Sequence, residues 1–550
     1  MKKRVLSVLL SVALVTTLFV GCGSKNSDDQ KAGGDTDTTQ ESDNSQLTDG
    51  IEGTAVTEGE LDTEFHVALT AAPSTLDCNK TSAVVTKQIA YSNIFESLVT
   101  MDAKFGVACE LAESYTVSSD HTVYTYNLRK GVPFHNGQEM KAADVAASLN
   151  RWIDSYGNAA SLVGDARFVV VDDYTVQITL ATPSIFLNEL MAGAGNTAII
   201  FPASSLDSVD PETGLLTEFI GTGPYVFDEW VADRYIKLTR FEDYVPYGTK
   251  GVIDGYAGYK EASVQTLYYD FVPEDSTRIA GLGSEYDFAY KLPADNYDQF
   301  AGKDDYIIYK EVAGYPALVY NKKAGLASNP AFRHAINAVL DCEDILLAMY
   351  ADPAFYRLDG SLMIQEQAQW YTQAGCENYN PNDLALAQSY LDEAGYNGET
   401  FTILVTTSYP EFYTAAIVIQ QQLEDAGIKC VVDANDWSTF LEKRADENQY
   451  DAFITTFSTN ALPTQLSYYN PNWAGWVTDQ EVLDGVADFY AASSLEEAID
   501  VWSKLQEFTI TDGQEISKFG DYQLYSVSSA KVNHLAYFQG PLLWSAEVYK

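Results

Sequence analysis

The sequence predicts an α/β protein with two or three lobes, and two observations support this fold class. Residues 61–550 are too many for one simple hydrophobic core, so we expect the chain to divide. Residues 401–405 and 428–432 have strand-like patterns, and residues 413–426 between them have helical spacing. A strand, a helix and a strand in this order form a βαβ-like unit, which implies a parallel strand pair within an α/β lobe.

Other segments extend this mixture of strands and helices. Alternating apolar and polar residues, typical of half-buried strands, occur at 64–70, 122–128 and 174–180. Apolar residues at helical spacing predict helices at 87–98, 142–152, 331–340 and 381–394. The chain has no internal repeat at a fixed period, so a solenoid or a propeller is not expected.

The beginning of the chain predicts an export signal. A short cationic start is followed by an apolar, uncharged run at 5–20 and by small Gly21. This run is shorter than the roughly 20 residues that span a bilayer, which argues against a permanent transmembrane helix. Cys22 resembles the lipidation site of bacterial lipoproteins, so we expect a signal peptide at 1–21 and a lipid on Cys22. The alternative is a plain secretory signal with an unrelated cysteine.

Residues 22–60 are predicted to form a disordered acidic tether. From residue 23 onward this stretch holds ten acidic residues, two lysines and no aromatic residue. Such a composition cannot bury enough apolar surface to offset the entropy of ordering. With a lipid at its start, the tether would hold a globular body close to a membrane, facing outside the cytoplasm.

The formal net charge of -45 restricts the partners of the protein. Nucleic-acid binding requires a basic face that neutralises phosphates, so a nucleic-acid partner is not expected. An anionic membrane would also repel the protein surface itself. The acidity is typical of a protein that must stay soluble outside a cell.

The cysteines do not predict a disulfide framework. Five follow Cys22, their number is odd, and no pair has CxxC spacing. A chain of this size can be stable without disulfides. The five residues are Cys78, Cys109, Cys342, Cys376 and Cys430. They could form at most two disulfides, and buried free thiols are an equally plausible alternative.

No motif in the sequence predicts catalysis. A GxSxG elbow, a Walker loop, an HExxH motif and a Rossmann fingerprint do not occur. The five histidines are scattered, and none has a histidine partner at metal-ligand spacing. Carboxylates are numerous, but a sequence cannot fix the separation that a glycosidase pair needs. We therefore expect no enzyme activity, no metal and no cofactor.

Five blocks of sequence resemble one protein family. In the best block, residues 111–145 read LAESY, then TVYTYNLR and GVPFHNG, where the family has LAESW, TYTFxLR and GVxFHDG. The other blocks follow in the family's order at 221–244, 329–341, 379–396 and 419–451. The chain therefore resembles the bacterial solute-binding proteins of family 5, the extracytoplasmic oligopeptide- and dipeptide-binding proteins of ABC transporters.

The resemblance implies an α/β fold of the two-lobed, type II (cluster C) periplasmic-binding-protein kind, in which hinge closure encloses the ligand. It implies lobe one at 61–305, an extra subdomain of that lobe at about 92–200, lobe two at 306–514, and a return to lobe one at 515–550.

The resemblance also places a ligand site, from which two charged anchors are missing. Peptide-binding members hold the peptide amine with an aspartate where this chain has Asn460, and dipeptide binders use an arginine where it has Thr406. A buried charge without a partner costs several kcal/mol, so a long peptide held through its backbone, or a neutral ligand, is favoured. The candidate ligand-binding residues are Thr81, Ser82, Thr406, Thr407, Ser408, Trp437, Phe457, Asn460, Tyr468, Trp473 and Trp476.

The resemblance and the export signal together predict a monomeric, lipid-anchored receptor. It would capture oligopeptides between two lobes and deliver them to the permease subunits of an ABC transporter. The alternative ligand is an oligosaccharide or another neutral solute, because aromatic residues with Asn, Ser and Thr also suit sugars. A more distant alternative is a surface hydrolase.

Overall fold

The computed structural model describes residues 50–193 and 196–550. The predicted signal peptide, the predicted lipidation site Cys22 and the tether up to residue 49 lie outside the described residues. No helix in the described part of the chain is both long enough and apolar enough to cross a bilayer.

The described residues contain 25 β-strands. In chain order they are β1 Ile51–Glu52, β2 Glu64–Leu69, β3 Val99–Met101, β4 Val107–Cys109, β5 Ala112–Val117, β6 Val123–Leu128, β7 Val169–Asp172, β8 Thr175–Thr179, β9 Tyr225–Val231, β10 Tyr235–Arg240, β11 Ile253–Asp254, β12 Ala257–Gly258, β13 Thr266–Phe271, β14 Phe288–Leu292, β15 Tyr306–Tyr320, β16 Tyr356–Arg357, β17 Phe401–Thr406, β18 Cys430–Asn435, β19 Ala452–Ser458, β20 Ile516–Lys518, β21 Asp521–Ser529, β22 Val532–Asn533, β23 Ala536–Tyr537, β24 Pro541–Leu542 and β25 Glu547–Val548.

The α-helices lie between these strands. In chain order they are α1 Val84–Ala90, α2 Ala142–Ser155, α3 Gly157–Val163, α4 Leu187–Ala192, α5 Asp275–Gly281, α6 Pro330–Val339, α7 Cys342–Tyr350, α8 Leu384–Ala394, α9 Pro410–Asp425, α10 Trp437–Arg444, α11 Gln480–Ala491 and α12 Leu495–Ile510.

Thirteen strands form one mixed sheet. Its main path runs β18-β17-β19-β15-β21-β14-β2-β13-β10-β9. At one end β17 and β18 pair in parallel, with Phe401 opposite Cys430, and α9 connects them. This arrangement confirms the predicted βαβ unit and the α/β fold class. A separate antiparallel sheet, in the order β5-β6-β8-β7, lies within the predicted subdomain.

The long strand β15 connects the two parts of the large sheet. Its first half pairs with β21, and its second half pairs with β19 and β20. The change of partner occurs at Gly314, which has a φ of +140° and faces the Phe457 carbonyl oxygen where any side chain would collide. Only glycine fits this backbone position. The chain crosses back through β20 and β21, so β15 and the β20–β21 segment both link the two parts of the large sheet.

Separate hydrophobic cores lie on the two sides of these crossing strands. One core includes Phe65 and Trp544, and a second, under the antiparallel sheet, includes Trp152. Two further cores, around Ile403 and Trp502, lie in the chain between the crossings. The lobe boundaries stay a prediction: lobe one denotes residues 61–305 together with 515–550, and lobe two denotes residues 306–514.

The structure differs from the predicted tether over its last residues. Ile51 and Glu52 pair with Tyr309 and Ile308 of β15 as an added edge strand. The Glu52 carboxylate lies 2.7 Å from the Lys310 ammonium, the Val56 N–H donates to the Ala530 carbonyl oxygen, and Glu60 pairs with Lys550. These residues therefore contact the globular body. The acidic composition that predicted disorder here is matched by a basic partner that the sequence pattern did not reveal.

The five cysteines in the described residues form no disulfide. Four of them are buried, and Cys376 is half-buried. Burial raises the pKa of Cys376 to about 11, which keeps its thiol protonated at neutral pH. Of the two possibilities that the sequence left open, the structure has thiols.

Candidate functional site

A cleft with a volume of about 610 Å³ lies between the two lobes. Residues from three parts of the chain form its walls. Lobe one contributes Ser82, Val84, Lys87, Gln88, Ala103, Phe105, Tyr256, Tyr537, Phe538 and Gln539; the strands near the crossing contribute Lys291, Lys310, Glu311, Val312, Ala313 and Gln523; and the opposite wall consists of Ile364, Glu366, Ser458, Thr459 and Asn460, with Gly50 at the edge.

The short helix α1 directs polar side chains into this cleft. Thr86, Ile89 and Ala90 are buried beneath the helix, so Lys87 and Gln88 project from the other side. The helix ends earlier than the predicted segment 87–98, because Ser92 has a φ of +68° and continues into a turn. The structure thereby separates the cleft-facing residues from the apolar residues that follow.

An aromatic cluster forms part of the lobe-one wall. The rings of Phe105 and Phe538 lie 5.0 Å apart, and the Tyr256 ring lies 5.2 Å from that of Phe538 in an edge-on arrangement. These contacts follow the geometry that aromatic quadrupoles favour. The cluster gives the cleft an apolar surface next to the charged side chains.

One ion pair occupies the strands near the crossing. The Lys291 ammonium lies 3.6 Å from the Glu311 carboxylate, and the Glu311 side chain is only 14% exposed. Burial raises the pKa of Glu311, and the Lys291 ammonium offsets part of that rise. Tyr537 also faces this carboxylate, and burial together with the Glu311 charge raises the pKa of the tyrosine.

Two further charged residues of the cleft, Lys310 and Glu366, form ion pairs with residues outside it. The Lys310 ammonium pairs with Glu52 at 2.7 Å and lies 4.6 Å from the centre of the Tyr297 ring. Glu366 pairs with Arg357 at 3.1 Å. Both charges therefore have counter-charges supplied by the protein.

Lys87 is different from these residues. No carboxylate of residues 50–193 and 196–550 lies within 4.0 Å of its ammonium. Burial lowers the pKa of Lys87 to about 8, because an ammonium loses hydration without gaining a counter-charge. The neighbouring Gln88 has both amide atoms buried and without a hydrogen bond of normal geometry in the described structure.

The structure brings two of the predicted ligand-binding residues, Ser82 and Asn460, to the cleft. The others do not line it. Thr406 is fully buried at the end of β17, and the Ser408 hydroxyl accepts a hydrogen bond from the Trp437 backbone. Thr81 lies in the loop before α1, and Thr407 directly follows β17. Trp437 is exposed, and the other four, aromatic residues of lobe two, pack in or against its core: Phe457, Tyr468, Trp473 and Trp476. As ligand contacts, all eleven stay a prediction.

Sequence reasoning missed Lys87, Gln88, Lys291 and Glu311. The family resemblance points instead to the two anchor positions and to other polar and aromatic residues. A lysine in a chain with 33 basic and 78 acidic residues carries no local signal of its role. For Lys87, the informative property is the absence of a carboxylate partner in the described structure, whereas Lys291 and Glu311 pair with each other.

Two α/β lobes that crossing strands connect, with a cleft between them, define a two-lobed binding protein of the type II periplasmic architecture. A family model supports this class: that of the bacterial extracellular solute-binding proteins, family 5, matches residues 106–478. The chain belongs to this family, whose members are binding proteins.

Known proteins that resemble the chain agree with this assignment. It is 26% identical over 435 residues to the probable peptide ABC transporter periplasmic-binding protein y4tO of Sinorhizobium fredii, covering 76% of each chain. It is 29% identical over 413 residues to the glutathione-binding protein GsiB of Escherichia coli O1:K1, covering 72% of this chain and 74% of GsiB. The oligopeptide-binding protein AppA of Bacillus subtilis, solved with a nonapeptide, shares the fold with a TM-score of 0.69 and 18% identity, over 90% of this chain and 100% of AppA.

Proposed function

We propose that the protein is the extracytoplasmic substrate-binding component of an ABC transporter and that it captures oligopeptides. The observation that carries this proposal is the cleft of about 610 Å³ between the lobes, which has apolar and polar walls. Ligand sites of this size and mixed lining are typical of small-molecule and peptide capture. No catalytic residue is assigned to it.

The relatives support the transporter role and the ligand class. One is named as a probable peptide ABC transporter binding protein, and the other as a glutathione-binding protein. Membership of the same family and coverage of about three quarters of each relative favour the same role here. The permease subunits of the transporter are the proposed protein partners.

Contacts between the lobes suggest how capture works. Phe186 of the subdomain stacks on Phe489 of lobe two, with ring centres 4.6 Å apart, and the Gln539 amide lies 3.5 Å from the Thr459 hydroxyl across the cleft. We propose that a ligand bound to both walls favours this closed arrangement, which then docks on the permease. A ligand shifts such an equilibrium only by its differential affinity for the two states.

The proposal includes attachment to the membrane through a lipid on Cys22. The sequence of the export signal supports it, and residues 23–49 would connect the lipid to the body. Metabolic labelling with an alkyne fatty acid tests this directly. We expect label on the wild-type chain and none on Cys22→Ser, which should be released into the medium; equal labelling of both would contradict the anchor.

A thermal-unfolding screen tests the ligand class. The full chain, purified in detergent, would be heated with pooled peptides of two to eight residues and, separately, with pooled oligosaccharides. A ligand at 100 times its Kd should stabilise the protein by about 2.7 kcal/mol. A shift with peptides supports the proposal, whereas a shift with sugars alone replaces the ligand class by the neutral-solute alternative.

A further inference from the structure

The cleft contains more basic than acidic side chains, although the protein as a whole is strongly acidic. Three lysines and two glutamates line it, in a chain whose net charge is -45. Lys291 and Lys310 each have a carboxylate partner within 4.0 Å, and Lys87 has none in the described structure. The cleft therefore presents one uncompensated positive charge to whatever enters it.

An unpaired ammonium in such a place is unfavourable for the empty protein. Taking a charge out of water costs several kcal/mol unless a counter-charge or hydrogen bonds replace the hydration shell. Lys87 makes no ion pair in the described structure, and Gln88, the next residue on α1, has an amide that makes no hydrogen bond of normal geometry there and interacts only with the Tyr290 hydroxyl. An ammonium without a counter-charge, next to an amide without a well-formed hydrogen bond, indicates a position that a ligand completes.

The charged and titratable groups around Lys87 do not supply an anion. The group that interacts with it electrostatically is the Cys78 thiol, whose pKa burial raises, so the thiol is neutral at pH 7. Asp77, beside that cysteine, is bound by the Arg151 guanidinium. Elsewhere on the cleft wall, Glu311 pairs with Lys291.

We propose that Lys87 anchors a carboxylate of the ligand and that the Gln88 amide completes the anchor. This inference rests on the proposed function and specifies its substrate class: solutes with a free carboxylate, which in a peptide is the C-terminal α-carboxylate. A charge-assisted hydrogen bond between an ammonium and a carboxylate is roughly twice as strong as a neutral one. Sequence comparison, which finds Thr406 and Asn460 at the family's anchor positions, does not reveal this group.

The anchor makes ligand binding dependent on pH. The pKa of Lys87 is about 8 in the empty cleft, and a bound carboxylate raises it. Affinity should be constant below pH 8 and should fall by about tenfold per pH unit above it. At pH 8, about half a proton should be taken up for each ligand bound, because about half of the empty sites are deprotonated.

The experiment compares two peptide pools that differ in one group. The first pool contains tetrapeptides with free C-termini, and the second contains the same sequences as C-terminal amides. Both are titrated into the full chain in detergent by calorimetry, in two buffers of different ionisation enthalpy. We expect the acids to bind about 10- to 100-fold more tightly than the amides, with proton uptake at pH 8.

Three variants assign the effect to the side chain. Lys87→Met should abolish both the preference for the acids and the proton uptake, and Lys87→Arg should retain the preference. Lys504→Met removes one charge from an exposed site on α12 and should bind like the wild type. Because the wild-type preference is measured without any mutation, a variant that fails to fold does not remove the test.

The outcomes separate this inference from the proposed function. If acids and amides bind equally well, the Lys87 anchor is wrong and the peptide-binding function stands. If neither pool binds but oligosaccharides do, both proposals are wrong. A preference for acids that survives in Lys87→Met would place the carboxylate on another group and overturn the anchor alone.

Discussion

Lys260 is fully buried and Lys87 is partly buried, and the charges around these two lysines differ. The Lys260 side chain is 2% exposed, and its ammonium lies 3.0 Å from the Glu96 carboxylate and 2.5 Å from that of Glu110. Burial alone would lower the pKa of Lys260, but the two carboxylates raise it above its ordinary value. Burial lowers the pKa of Lys87, which has no such partners.

The difference separates a structural charge from a functional one. The Lys260 cluster is completed further by the hydroxyl groups of Thr222 and Tyr244, which both donate to Glu96. A buried polar network of this kind is stable because its members satisfy one another. Lys87 has the reverse property: it is partly buried and charged, and it has no counter-charge in the described structure, as an empty ligand anchor requires.

The largest effect is expected at the structural lysine. Lys260→Met leaves two carboxylates buried without a cation, and we expect a loss of about 3–5 kcal/mol in the free energy of unfolding. Denaturant titration of the purified chain measures it. The triple variant Lys260→Met, Glu96→Gln, Glu110→Gln removes all three charges and should recover part of the loss; no recovery would mean that packing, not charge balance, explains it.

A smaller effect of opposite sign is expected at the functional lysine. Lys87→Met removes an ammonium that lacks a counter-charge, and we expect the free energy of unfolding of the empty protein to rise by about 1–2 kcal/mol. The rise is limited to this size because the Lys87 side chain keeps some contact with water. The folded pKa of about 8 is below the unfolded value of 10.5. The gain should therefore be full below pH 8 and disappear as the pH approaches 10.5.

Unfolding midpoints of the wild type and of Lys87→Met, measured from pH 6 to pH 10.5, test this prediction. Lys87→Arg is the control that keeps the charge. A variant that is destabilised at pH 7 would show that Lys87 supports the fold. Stabilisation together with weaker peptide binding is the combination expected of a binding residue, since a merely structural role would not separate stability from affinity.

The sequence predicted the fold well, because its signals are local. The βαβ unit of β17, α9 and β18 follows from periodicity within about 35 residues, and the family model that matches residues 106–478 confirms the resemblance seen in the sequence blocks. The end of the tether could not be predicted. Glu52 is ordered by Lys310, which lies far away in the chain, and composition alone does not report such a pairing.

The site was predicted only in part, for the same physical reason. Of the eleven predicted ligand-binding residues, Ser82 and Asn460 line the cleft, but no sequence pattern indicated its charged groups. Lys87 and Lys260 are both lysines without a distinctive local motif, and only the three-dimensional positions of Glu96 and Glu110 distinguish them. A missing partner is a property of the folded chain and has no signature in the sequence.

The smallest effect is expected at an exposed lysine, which completes the comparison. Lys504 is 71% exposed and lies 2.6 Å from Asp500, one helical turn earlier on α12. Water screens such a pair, and holding two long side chains together opposes the attraction, so Lys504→Met should lower the unfolding midpoint by less than about 1 °C. High salt should remove even this change, whereas it should leave most of the Lys260→Met loss, because buried charges are screened much less. A salt-insensitive effect at Lys504 as large as that at Lys260 would show that enclosure and partners do not set the energetic role of a lysine in this protein.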